Sequence, residues 1–387
     1  MIAKLLQNRV RRTYLGGGRI DAFTGGSQFT ATADAQERVP PMPMPEDWMA
    51  STTTAFNGTL EIEGEGLGRL EDGRLVKDVV GTLPILVKLL DSDERLVIQA
   101  HPTVPCAKRL FNSPVGKTEC WYFLPGTAPD ACVYLGFKPG ITRTTWEEAV
   151  RAGMADNRQP TTHTRKVEKS ESRSACRTSH VACPNPATGA INCAPPVSDA
   201  RQRVPPELLS FLHCIPVAAG DFVFVDGGMP HAIGGGCFMI ELQEPSDLMV
   251  VAERVTPSGR RIPDAKMHGG VGWEKMFEVY EYEGLTYEEV CARYVRRAAE
   301  TAAPHADAQE RVPPVKQILG PELTDKFAMW RVAGGGILSL PRDRAVAVVT
   351  EGEGEVNGLA VKKGERLVVA DERQLAVTGA ATLIVCA

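Results

Sequence analysis

Apolar residues in this chain come in short runs, each closed off by Gly, Pro or Asp, and that punctuation restricts the fold more than any other feature. The runs lie at Leu83–Leu90, Leu96–Ala100, Glu119–Leu124, Ala131–Phe137, Asp221–Val225, Cys237–Leu242 and Leu248–Ala252. Short apolar runs separated by turn residues predict an all-β sandwich or barrel. The 37 glycines and 28 prolines supply the turns such a fold needs and count against a helical bundle. Helices are expected at Thr145–Ala155, Pro206–Leu212 and Tyr287–Ala303. The last has Glu288 and Glu289 in its first turn and Arg296 and Arg297 later, which suits the helix dipole. From Phe327 to Ala387 short strands and turns alternate again, as in a second, smaller β-unit.

A length of 387 residues allows a sizeable core and two or three structural units. The net charge of −5 is mild and no basic patch stands out, so nucleic acid is not an expected partner. No run of about 18 apolar residues occurs, and no membrane span is expected. The opening MIAKLLQNRVRRTY lacks the apolar core of a signal peptide. Ten cysteines form no compact framework, and Cys120, Cys132, Cys237, Cys291 and Cys386 lie in apolar patterns as small hydrophobes. The expectation is a reduced, cytoplasmic protein, monomeric or a small homo-oligomer, whose partner is a small molecule.

Two polar stretches interrupt the pattern. ADAQERVPP occurs at Ala33 to Pro41 and identically at Ala306 to Pro314, with a degraded copy, ARQRVPP, at Ala200 to Pro206. The flanks do not repeat, so this is no solenoid, and the copies read as parts of surface loops without a chemical role. The segment from about 156 to 203 is polar and aperiodic, as expected of an unstructured insertion. It holds His163, His180, Cys176, Cys183 and Cys193, but the spacing C-x6-C-x9-C matches no compact zinc motif.

LVIQAHP, Leu96 to Pro102, puts Gln99 and His101 on one face of an apolar strand, because side chains at i and i+2 point the same way. In GKTECWYFL, Gly116 to Leu124, Glu119 likewise shares a face with Trp121 and Phe123. A carboxylate aligned with two large aromatics is costly to bury unless it is paired or binds a metal. In GDFVFVDGGMPHAIGGG, a strand beginning near Phe222 runs into a glycine turn and then His231. Gly220, Gly228 and His231 keep the spacing of the second cupin motif, with Asp226 in place of its proline.

Together LPILVKLLDSDERLVIQAHP, GKTECWYFL and PHAIGGGCFMIELQEPSD strongly resemble type I mannose-6-phosphate isomerase, a zinc-dependent cupin enzyme. RTYLGGGRIDAF and PEDWMASTTTAFNG extend the resemblance, which runs with gaps from about residue 10 to 280. It implies a mainly β fold: a cupin, jelly-roll-like β-barrel with accessory helices, and a second, smaller C-terminal cupin-like β-domain. The expected boundaries are 1–255 for the metal-binding catalytic domain, with insertions at about 26–43 and 156–203. A mainly helical segment and linker then spans 256–314, and the small β-domain 315–387.

The resemblance also implies a metal held by Gln99, His101, Glu119 and His231. That donor set suits one Zn²⁺ per chain, with Mn²⁺, Fe²⁺ or Co²⁺ as substitutes. The implied reaction interconverts mannose 6-phosphate and fructose 6-phosphate, moving a proton between C2 and C1 through an enediolate. Lys117, on the face of Glu119, is expected to bind sugar or phosphate oxygens, and Asp247 to transfer the proton. The family commonly carries an arginine four residues after that Asp, where this chain has Val251. Arg254 is the expected replacement, with Arg260 and Lys266 as further candidates. Two other functions fit the same residues: a cupin that binds a sugar phosphate without turnover, and an isomerase of altered specificity.

Overall fold

A computed structural model describes residues 1–26, 44–57, 62–155, 206–298 and 313–387. The copies of ADAQERVPP, apart from Pro206, Pro313 and Pro314, and the whole polar segment with its cysteines and histidines lie outside these residues. Four antiparallel sheets dominate the described chain, as the punctuated apolar runs predict. A seven-stranded sheet is ordered Val295–Arg296, Phe222–Val225, Glu119–Phe123, Phe238–Gln243, Leu86–Asp91, Glu46–Met49, Arg9–Val10. A five-stranded sheet is ordered Val250–Val251, Gln99–Ala100, His231–Ile233, Cys132–Phe137, Leu212–Pro216.

These two sheets face each other across a core in which Trp121, Phe123, Val223, Val225 and Met239 meet Val133, Leu135, Ile215 and Ile233. Alternation along Glu119–Phe123 then turns Cys120 and Tyr122 outward. There they meet not water but a second unit, whose Met329, Val346, Val348, Val368 and Ile384 cover that side of the sheet. The central strands are therefore buried on both faces, which is why their sequences read as near-continuous apolar runs. On the far side, Ala100, Ala232 and Val250 of the five-stranded sheet, with the adjoining Ile98, bury against Trp146, Val150, Leu208 and Phe277 of helices and nearby chain.

The second unit is a six-stranded sheet facing a four-stranded one, with its own core of Val332, Ala347, Leu367, Leu383 and Val385. Its outermost strand is Ile2–Lys4 from the other end of the chain, paired with Arg366–Ala370. Pairing thus assigns the first strand to the unit that sequence alone begins near residue 315. Helix Arg143–Ala155 lies within two residues of its expected start. The helix expected at Tyr287–Ala303 instead ends at Tyr294, and Val295–Arg296 pairs as a strand with Phe222–Val223. Thr286 and Glu289 close its N-terminus with a reciprocal capping box.

Candidate metal centre and the cleft beside it

The two facing sheets bring three predicted ligands together. His231 opens a strand of the five-stranded sheet and pairs in register with Gln99, while Glu119 comes from the sheet opposite. Gly228 sets the approach of the His231 segment: its N–H donates to the His101 carbonyl at 2.6 Å. Its φ of +89° and the Glu281 side chain, which a Cβ would overlap, both demand glycine there.

His101, Glu119 and His231 are completely buried, and one donor atom from each lies within 4.8 Å of the others. Each imidazole is oriented from behind by a backbone carbonyl 2.9 Å from Nδ1, that of Leu248 for His101 and of Met229 for His231. The carbonyl makes Nδ1 the protonated nitrogen, so Nε2 presents a lone pair. Burial keeps both rings neutral: it lowers His101, helped by Lys117, and takes His231 down to about 3. Burial opposes ionisation of Glu119, but the Lys117 ammonium outweighs it and holds the carboxyl well below its usual range.

Two neutral Nε2 atoms therefore face a carboxylate at 3.2 and 3.4 Å, acceptor against acceptor. The Lys117 ammonium meets part of this demand, donating to His101 Nε2 and to Glu119 Oε2, both at 2.6 Å. His231 Nε2 and Glu119 Oε1 remain buried without a hydrogen-bond partner. Each such atom costs about 1–3 kcal/mol unless a cation or donor meets it. Two imidazoles and a carboxylate are a fitting donor set for a divalent first-row metal. Gln99, the fourth expected ligand, pairs opposite His231 and lines the adjoining cleft.

The cleft holds about 610 Å³ of empty space, its mouth included, and Gln99, Lys117, Glu241, Asp247 and Lys266 are among the residues that line it. Its wall is a network of buried ions that single motifs in the sequence do not announce. Arg12 donates to Asp247 through both terminal nitrogens, at 3.0 and 2.8 Å, and to Glu46 through Nε at 3.0 Å. Glu46 also accepts from Tyr14 and the Trp48 indole, each at 2.6 Å. Lys88 donates to Glu241 at 2.6 Å.

The network bears on the role expected of Asp247. Asp247 lines the cleft, but Arg12 and the Phe56 N–H at 2.8 Å occupy its oxygens. Burial works against its charge, yet Arg12 outweighs that and leaves Asp247 strongly acidic, a poor acceptor for a proton from carbon. Glu241 is the carboxyl whose affinity for a proton rises, because burial there outweighs the pull of Lys88. The valine at the position of the expected arginine, Val251, does line the cleft. Arg254, its expected replacement, does not: it pairs with Asp264 at 2.6 Å and lies over the Trp273 ring. The strand ends at Val251, so strand alternation does not set the direction of Arg254, and the chain beyond it carries the guanidinium to Asp264 instead. Arg260 is exposed and donates to the Thr13 carbonyl at 3.3 Å.

No family model matches the chain. Mannose-6-phosphate isomerase ManA of Bacillus subtilis (strain 168) is 28% identical over 164 residues, 42% of this chain and 35% of that protein. The probable mannose-6-phosphate isomerase GmuF of the same organism is 22% identical over 287 residues, 71% of this chain and 65% of that one. The matched stretches thus span less than two thirds of either relative. In three dimensions the likeness is end to end. Mannose 6-phosphate isomerase from Bacillus subtilis superposes with a TM-score of 0.62 at 17% identity, covering 100% of this chain and 99% of that one. A variant of phosphomannose isomerase from Salmonella typhimurium gives 0.63 at 15% identity, covering 100% and 98%. A zinc-bound mannose 6-phosphate isomerase gives 0.61 at 15%, again covering 100% and 98%. The chain has the fold of these phosphomannose isomerases, and its sequence is similar to that of curated mannose-6-phosphate isomerases.

Proposed function

We propose that the protein is a metal-dependent isomerase that interconverts mannose 6-phosphate and fructose 6-phosphate. The observation that carries the reading is the buried group of His101, Glu119 and His231, where acceptors face one another beside a polar cleft. Those three residues, with Gln99, would hold one zinc ion, or another divalent first-row metal. When bound, the ion supplies a Lewis acid for the oxygens on the two carbons that exchange the carbonyl.

The chain's own groups do the rest. Lys117, 2.6 Å from both His101 and Glu119, donates to sugar oxygens at the same end of the cleft. Negative charge that develops on those oxygens as the proton leaves carbon is stabilised by this ammonium. Glu241, with its raised proton affinity, takes the proton from one carbon and returns it to the other, while Lys88 keeps its carboxyl in place. Asp247 serves as the partner that fixes Arg12. The similarity to curated mannose-6-phosphate isomerases supports this substrate over another sugar phosphate.

Among the described residues no helix is long and apolar enough to cross a membrane. Cys106, Cys120, Cys132, Cys237 and Cys386 are free thiols, which suits the reducing cytoplasm, where sugar phosphates are metabolised. The test is a coupled assay of mannose 6-phosphate conversion with zinc and with a chelator. Zinc-dependent turnover is expected; no turnover with the metal fully bound overturns the reading.

A further inference from the structure

Lys266 is 95% buried, at a relative exposure of 5%, and lines the cleft. It differs from the other cations of that wall. Arg12 is committed to Asp247 and Glu46, Lys88 to Glu241, Arg95 to Glu253, and Lys117 to Glu119. Among the described residues Lys266 has no carboxylate within ion-pairing distance, and its Nζ has one long contact, 3.5 Å to the Phe56 carbonyl. An ammonium carries three donors and gains little from one contact of that length. Burial alone would expel the charge, and it brings the Lys266 ammonium down to about 8. A side chain kept at such a cost in a cleft wall, with its donors unspent, suits an anionic ligand group.

Its position indicates which group. Lys117 lines the cleft in contact with His101 and Glu119, whereas the charges that act on Lys266 are those of Arg12, Asp247, Glu46 and Glu65, with none from the metal group among them. In a hexose 6-phosphate the phosphate is four carbons away from the reacting C2, so with the reacting carbons at the metal group it falls away from it. The apolar Val251 offers that wall no charge. We propose that Lys266 binds the phosphate of the substrate, at the end of the cleft remote from the metal group. This rests on the sugar-phosphate reading above and adds the residue that selects phosphorylated over plain sugars.

The test uses the full-length, metal-loaded protein and inorganic phosphate as the probe. Isothermal titration of the wild type, Lys266→Met, Lys266→Gln and Lys266→Arg is expected to show phosphate binding weakened at least tenfold by Met and Gln and largely kept by Arg. Phosphate bound at the metal would be the same in all four and cannot produce that pattern. The KM for mannose 6-phosphate should rise at least tenfold in the Met variant, with a much smaller change in kcat. Removing an unpaired buried charge should raise the melting temperature, so lost binding is not lost folding. Equal phosphate affinity in the wild type and both neutral variants overturns the proposal. Lys266-dependent phosphate binding in a protein that isomerises nothing would sustain it while overturning the isomerase reading.

Discussion

Arg12 grips Asp247 across 235 positions of sequence, with both terminal nitrogens of its guanidinium within 3.0 Å of the carboxylate oxygens. The pair ties the loop after the edge strand Arg9–Val10 to the segment that follows Phe238–Gln243. Both side chains are almost fully buried, so removing one strands the other in a poorly polarisable site. Arg12→Met leaves Asp247 and Glu46 without their principal cation and is expected to cost about 3–5 kcal/mol. Urea unfolding measures this, and a loss below about 1 kcal/mol would show that the network relaxes around the gap.

Acid should attack the same network. Burial opposes the charge of Glu46, but Arg12, Lys88 and hydrogen bonds from Tyr14 and Trp48 bring its carboxyl from 4.5 to about 2. A carboxyl depressed in the folded state adds stability above its unfolded value, and that stability is lost as pH falls toward the folded value. The gap corresponds to roughly 3 kcal/mol, present above about pH 4.5 and gone near pH 2. Urea midpoints at pH 6 and pH 3 should fall further for the wild type than for Glu46→Gln. Equal falls would place the acid-sensitive group elsewhere.

His231→Ala tests the metal centre. It removes one of two neutral imidazoles facing Glu119, and the carboxylate then keeps Lys117 as its partner. Metal content measured by mass spectrometry is expected to drop from about one ion per chain to a small fraction, and turnover with it. Lys117→Met should behave differently: the ligands remain, so metal is kept while kcat falls by about 10²-fold or more. A His231→Ala protein with full metal content would contradict the assignment.

The two carboxyls of the cleft should separate in kinetics. Glu241→Gln preserves shape and removes the proton acceptor, so kcat is expected to fall by about 10²–10⁴-fold with KM changed only a few-fold. Asp247→Asn disturbs Arg12 and should act mainly on stability. A larger loss of kcat from Asp247→Asn than from Glu241→Gln would restore Asp247 as the proton carrier.

The metal group was legible in the sequence because Gln99, His101 and Glu119 violate strand patterning: each is polar on a face that its neighbours make apolar. The same signal was present in LVKLLD and FMIELQ, where Lys88 and Glu241 interrupt apolar runs and turn out to be directly opposite one another in register. Strand-by-strand reading passed over them because each finds its partner on a neighbouring strand, and register is not visible in either run alone. Arg12 and Glu46 were hidden for a related reason, since neither lies in a run with a clear period. Arg254 illustrates a different limit: the strand ends at Val251, and where the chain goes after a strand end, here toward Asp264, is not written in the strand's own pattern. The second core was legible as strands and turns, but the strand at Ile2–Lys4 that completes its sheet comes from the far end of the chain.

The second unit also reaches the site, through Glu244. One oxygen of that carboxylate accepts from the Thr118 N–H at 2.9 Å and from Lys326 Nζ at 2.9 Å, and the other from the Gly116 N–H at 3.3 Å. Lys326, which belongs to the C-terminal unit, also donates to the Thr118 hydroxyl at 2.5 Å. Glu244 and Lys326 thereby fix the backbone on either side of Lys117 and one residue before Glu119, without touching the metal group. Groups that orient ligands from behind typically account for 10–100-fold in metal affinity. Glu244→Ala is therefore expected to weaken metal binding by about that factor, and Lys326→Met to do so less, because the two backbone contacts survive. Competition against a chelator of known affinity measures both. Unchanged metal affinity in Glu244→Ala would mean that Glu119 is held by its own strand pairing with Val225 and Gln243, and that the C-terminal unit contributes stability alone.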